Sequence, residues 1–166
     1  GWFGCDKNKQ FNMDIQFEHQ RSAGGWQIST QGLLSAAPVE SALETILDAG
    51  MDNIREKSKK ITSYLVYLVD VYLSKKPYNF IIGTPLDPEK RSGHVAIEHE
   101  EEAVRISKSL LNNRIIPDFR PPNIIRIAPT PLYNTYHEVW EVVQTLKKII
   151  DTKEYKNYST NRKPVA

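Results

Sequence analysis

Apolar residues between 52 and 73 recur at three- and four-residue steps. Ile54, Ile61, Leu65, Leu68, Val69 and Tyr72 share one face while Arg55, Lys59 and Lys60 fall on the other, the pattern of an amphipathic helix with those three charges in water. A shorter helix is predicted before it. Ser35 can cap its start, Pro38 and Glu40 suit its first turn, Leu43, Ile46 and Leu47 form the apolar stripe, and Gly50 can end it. Two further helices are predicted over 100–112, with Val104, Leu110 and Leu111 inward, and over 136–150, with Val139, Trp140, Val143, Leu146 and Ile150 inward. Residues 79–82, 94–98, 115–116 and 124–128 read as strands, the first two joined by the turn-rich stretch 84–93. Before residue 34 there is only short alternation at Phe11, Met13 and Ile15 and at Trp26 and Ile28, which suggests extended pieces and loops.

Helices followed by strand–strand–helix–strand–strand–helix predict an α+β fold, a small antiparallel-rich sheet with helices packed on one face. The division expected is a leading segment over 1–34, a compact domain over 35–150 and a polar tail over 151–166 that frays. The chain opens on Gly1-Trp2-Phe3-Gly4. Two large aromatics at an exposed natural terminus would waste their burial, so the chain is expected to be a piece of a longer protein.

Composition removes several classes of function. A net charge of +2 with acidic and basic residues interleaved gives no basic face for nucleic acid. No apolar run approaches the roughly 20 residues that span a bilayer. One cysteine, Cys5, permits no internal disulfide and no thiolate metal site, and His19, His94, His99 and His137 lack ligand spacing. No metal is expected. Asn157-Tyr158-Ser159 matches a glycosylation sequon, read as a chance match.

Three stretches carry more specific information. They are Gly1-Trp2-Phe3-Gly4, Gly25-Trp26-Gln27-Ile28-Ser29-Thr30, and Asn123-Ile124-Ile125-Arg126-Ile127-Ala128-Pro129-Thr130-Pro131-Leu132-Tyr133-Asn134. In this order, and continuing through Thr135 to Trp140, the chain resembles the kynureninase family over nearly its whole length, most loosely across 75–93. The resemblance implies the C-terminal small domain of a fold type I, pyridoxal-phosphate (PLP) dependent enzyme of the aspartate-aminotransferase superfamily. It implies hydrolysis of kynurenine or 3-hydroxykynurenine to an anthranilate and alanine, in a cytoplasmic homodimer with shared active sites. It assigns the substrate's α-carboxylate to Arg126, whose planar fork suits a carboxylate as Lys does not. Arg120, placed in a loop, is the lesser candidate. Trp2 and Thr30 are implied donors to the PLP phosphate of a neighbouring subunit, and Phe3 and Ser29 residues of the substrate pocket. Tyr133 and Asn134 are expected to order the loop before the last helix.

The catalytic Schiff-base lysine, its partner acid and the main phosphate loop lie, in the family, upstream of Gly1, so the chain alone is expected to be inactive. Two departures stand out. Cys5 replaces a frequent His, and Gln31-Gly32 a frequent Pro-Pro, which loosens the loop beside Thr30. The alternatives are the small domain of another fold type I enzyme, such as a cysteine desulfurase, and a non-catalytic α+β interaction module.

Overall fold

A computed structural model describes residues 2–161; Gly1, the first residue of the aromatic motif, and the end of the expected tail lie outside them. The chain divides into two compact units, one up to Asp48 and one from Ala49.

The first unit is built on short turns. Two 3-10 helices, Trp2–Gly4 and Ala23–Trp26, flank an irregular stretch whose one β-bridge pairs Cys5 with His19. The extended pieces expected at Phe11–Met13–Ile15 and Trp26–Ile28 do not form. Ile15, Met13 and Trp26 are all more than three-quarters exposed, and without a partner strand alternation has nothing to pair with. Glycines hold the unit together. A Cβ on Gly4 would lie 2.8 Å from the carbonyl oxygen of Gly25 and 2.9 Å from that of Gln27. The Gly4 carbonyl in turn accepts from the Gln20 amide at 2.8 Å. Helix α1, Leu33–Ala49, starts two residues before the expected cap. The Gly32 carbonyl, not Ser35, receives its first amides, and Pro38 sits inside the helix rather than in its first turn. No residue of α1 is buried, and the expected stripe is largely in solvent, Leu47 at 76% exposure. Gly50, at φ +78°, breaks α1 from the next helix, a left-handed geometry that costs glycine little.

The second unit holds the core. Helix α2, Met51–Leu73, turns Ile61, Leu65, Leu68, Val69 and Leu73 inward. Four strands follow in the spatial order β1-β2-β4-β3, all antiparallel: β1 Ile81–Ile82, β2 Val95–Glu98, β3 Asp118–Arg120 and β4 Ile124–Ile127. Helix α3 is Ala103–Asn112 and α4 is Tyr136–Asp151. Val95 and Ile97 of β2 and Ile125 and Ile127 of β4 point to one face, where α2, α3 and α4 bury them. This is the expected α+β arrangement, with alternation sending every second side chain to the opposite face.

Several expectations fail in detail, and Leu111 and Trp140, expected inward, are 49% and 41% exposed. Residues 115–116 form no strand. Ile115 is drawn onto the core beside α3 and Ile116 is 86% exposed, so pairing with β4 begins only at Asp118. Arg55 does not simply face water. It donates to the carbonyls of Arg91 and Pro88, fastening the loop before β2 to α2. Nor does the described part of the tail fray. A 3-10 helix, Glu154–Asn157, docks on α3, where Arg105 donates to the carbonyls of Lys156 and Tyr158 and Glu154 accepts from Ser109 and Asn113. Among the described residues no helix is long and apolar enough to cross a membrane, and no three acidic, histidine or cysteine side chains converge as metal ligands.

Candidate carboxylate and phosphate sites

Arg126 lies in the middle of β4, between Ile125 and Ile127, which are both buried. Alternation therefore puts it on the face of the sheet opposite the helices, where its side chain keeps 37% exposure. In the register its neighbours are Ala96 on β2 and Asp118 on β3. The Arg126 guanidinium donates through Nη2 to Oδ2 of Asp118. Arg120 donates to the same oxygen through Nε at 2.8 Å. Partial burial works to raise the Asp118 carboxyl, but the Arg120 hydrogen bond and the charges of Arg120 and Arg126 outweigh it and hold it below the usual carboxylate range. Arg120, expected in a loop, thus ends a strand and shares a counter-ion with Arg126. Asp118 was not anticipated. Its signal was the Asp118-Phe119-Arg120 alternation, which puts both charges on one face once the segment is known to be a strand.

The loop after β4 is tied locally. Asn134 accepts from the Thr130 amide at 2.8 Å and its own amide donates to the Thr130 carbonyl, while the Thr130 and Tyr133 hydroxyls meet at 3.1 Å. Thr135 and Glu138 then close a capping box at the start of α4.

The other four residues belong to the first unit. Trp2 is 52% exposed, its ring 5.4 Å from that of Phe11, and it walls a cleft with Cys5, Lys9, Met13 and Phe17 that neither Ser29 nor Thr30 lines. Phe3 is half-buried, with the Lys7 ammonium 5.4 Å above its ring and also bonded to its carbonyl. Ser29 and Thr30 are exposed, the Ser29 carbonyl accepting from the Gln27 side chain. The close approach of Gly4 to Gly25 and Gln27 lays the two aromatic-bearing segments against each other. Among the described residues neither the Trp2 indole N–H nor the Thr30 hydroxyl is engaged in a hydrogen bond, which leaves two neutral donors of the kind a phosphate oxygen accepts from.

An antiparallel sheet helix-covered on one face, with a partly exposed arginine on the other, defines a small α+β domain. Comparison with known proteins makes this particular. The model of the kynureninase C-terminal domain family matches residues 54–146, and the chain belongs to that family. Over all 166 residues it is 51% identical to a kynureninase of Geobacillus thermodenitrificans and 49% identical to one of Bacillus mycoides, spanning 38% of each relative's length. A kynureninase of Shouchella clausii is 43% identical over the same span. Among solved structures, an 8-amino-7-oxononanoate synthase from Francisella tularensis aligns with 74% of this chain and 33% of its own, at 18% identity and a TM-score of 0.48.

Proposed function

We propose that this chain is the C-terminal part of a PLP-dependent hydrolase that cleaves L-kynurenine or 3-hydroxykynurenine to the corresponding anthranilate and L-alanine. The observation that carries the reading is Arg126, a guanidinium held on the helix-free face of the sheet inside the Arg126-to-Asn134 motif. Membership of the kynureninase family supports it. In this reading residues 1–34 are an interdomain, active-site segment belonging to the end of the large domain, 35–150 form the fold type I small domain and 151–166 a polar tail. The whole enzyme is then a cytoplasmic homodimer.

Each residue has a limited task. Arg126 grips the substrate's α-carboxylate and so sets the orientation of the α-carbon. Trp2 and Thr30 donate to the PLP phosphate without adding charge. Phe3 offers an apolar wall to the substrate's aryl ring and Ser29 a small polar neighbour. PLP, when bound, supplies the electron sink for carbon–carbon cleavage. The lysine that attaches it belongs, in this reading, to sequence outside this chain, so the 166 residues alone are expected to take up no PLP covalently. Borohydride reduction with PLP followed by peptide mapping tests that, and a stoichiometric adduct on one lysine here would overturn it.

The central test uses the full-length protein carrying this sequence. It is expected to release anthranilate from kynurenine only when loaded with PLP. Arg126→Lys is expected to raise KM for kynurenine with little change in PLP affinity, since losing a hydrogen bond to a charged group costs roughly 1.5–3 kcal/mol. No anthranilate release, or unchanged kinetics in the variant, overturns the reading.

A further inference from the structure

Arg126 belongs to a cluster of three charges. The register sets Asp118 directly across from it and Arg120 across from Ile124, so all three charged side chains stand on the same face. One oxygen, Asp118 Oδ2, serves both arginines. It engages Arg126 at Nη2 alone, and among the described residues Nε and Nη1 of Arg126 meet no acceptor. On the other flank Ala96 presents only a methyl group. Glu98, the second carboxylate facing that way, leans to the β1 side, its Oε1 2.3 Å from where a Cβ on Gly83 would stand. Two guanidinium groups against one carboxylate leave the cluster with an unbalanced positive charge.

Resting on the reading of Arg126 as the carboxylate-binding group, we propose that Asp118 and Arg120 are positioning residues for that contact. Asp118 holds the Arg126 guanidinium by one nitrogen and leaves the rest of the fork for the ligand. Arg120 keeps that carboxylate from neutralising Arg126 by binding it as well. A long side chain otherwise surrenders its rotamer freedom only when the ligand arrives, which weakens binding. The geometry separates this from simple competition. A resident carboxylate that blocked the site would take the fork through two parallel bonds, whereas Asp118 uses one oxygen on one nitrogen.

The test compares Asp118→Asn, Arg120→Gln and Arg126→Lys in the full-length PLP-loaded enzyme. The readouts are KM and kcat for kynurenine and the inhibition constants of two analogues. In one the side-chain ketone is replaced by a methylene so that it cannot be hydrolysed; the other also lacks the α-carboxylate. Asp118→Asn and Arg120→Gln are each expected to weaken the carboxylate-bearing ligands about tenfold, the scale of one charge-assisted hydrogen bond. The decarboxylated analogue and kcat should stay within about twofold, a split that general loosening of the sheet would not produce. Unchanged or tighter binding of the carboxylate ligands in either variant overturns the proposal. If Asp118→Asn does not fold, Arg120→Gln at the exposed strand end decides by the same criteria. Weakening by Arg126→Lys alone leaves the carboxylate site standing and refutes its positioning pair. If Arg126→Lys has no effect, the underlying reading fails, and this inference fails with it.

Discussion

Arg91 is only 3% exposed and, among the described residues, forms no ion pair; its partners are the carbonyls of Pro85 and Leu86 and the hydroxyls of Thr62 and Ser63. Burial, and then the charge of Arg55, push its guanidinium below the ordinary arginine value. Such an arginine works as a bracket, fixing the loop before β2 to α2 through a set of neutral acceptors. Arg91→Met keeps most of the volume but strands those acceptors, and is expected to cost roughly 2–3 kcal/mol, read as a lower urea midpoint. Gly4 is the equivalent point in the first unit. The atoms a Cβ would meet are backbone oxygens, which cannot turn aside. Gly4→Ala is therefore expected to cost about 1–3 kcal/mol and to loosen PLP binding if Trp2 and Thr30 hold its phosphate. A fluorescence titration with PLP measures that. At this scale the sequence was legible in the placement of Arg126, a charged residue inside an apolar strand. It was silent on Asp118 and Arg91, because the first is defined by Arg126, 8 positions away, and the second by hydroxyls 28 and 29 positions away, and spacing along the chain does not encode such partners.

Among the elements, α2 and α4 were readable almost to the residue, since a long 3.6-residue period needs no tertiary partner to be recognised. The short strands were read less well: β1 was expected two residues too long, over 79–82, and β3 was missed, 115–116 being expected instead, because only pairing distinguishes a three-residue strand from loop. Helix α3 carries a pH-dependent support at its start. The Glu102 amide donates to Nδ1 of His99, whose ring packs edge-on against Phe80 with centroids 5.1 Å apart. Burial lowers the His99 pKa from 6.5, and the nearby charges of Glu102, Glu101 and Glu100 offset this only in part. The unfolded chain therefore takes up the proton first as pH falls. Stability from this site is complete above the unfolded value and is lost as pH drops from there through the folded one. Protonation of Nδ1 also removes the acceptor that Glu102 uses. The urea midpoint of the protein is expected to fall between pH 7.5 and 5 more steeply than that of His99→Asn, which has no titrating ring. Equal slopes would remove His99 as the cause. Thr135→Ala, breaking the capping box, is expected to cost about 1 kcal/mol at any pH where Glu138 is ionised; hydrogen bonds from the Thr135 amide and hydroxyl hold that carboxyl below its usual range.

For the whole molecule, the sharpest consequence of the proposed function concerns how active sites are shared between subunits. Trp2 and Thr30 present unengaged donors at the surface of a unit that has no buried apolar cluster of its own among the described residues. If they serve the PLP phosphate of a neighbouring chain, each site in the full-length dimer is assembled across a twofold interface, with the attaching lysine from one chain and Trp2 and Thr30 from the other. Complementation then distinguishes sharing from self-sufficiency. One parent loses its lysine; the other carries Trp2→Ala together with Thr30→Ala. In a mixed dimer with shared sites, one site combines both defects and the other has neither. Refolding the parents together is expected to restore activity that neither shows alone, approaching half the wild-type value per mixed dimer. If each chain serves its own phosphate, every site in the mixture carries one defect, and activity stays at the sum of the parents. That result would assign Trp2 and Thr30 to their own chain. The same mixture separates the carboxylate reading of Arg126 from the phosphate reading of Trp2 and Thr30, since Arg126→Lys adds a defect that follows kynurenine binding and leaves PLP affinity unchanged. Recovery in PLP affinity without recovery in KM, when Arg126→Lys is placed on the chain that supplies the intact lysine, would put Arg126 in the site of its own chain's lysine. Recovery of both would put it, like Trp2, in the neighbour's.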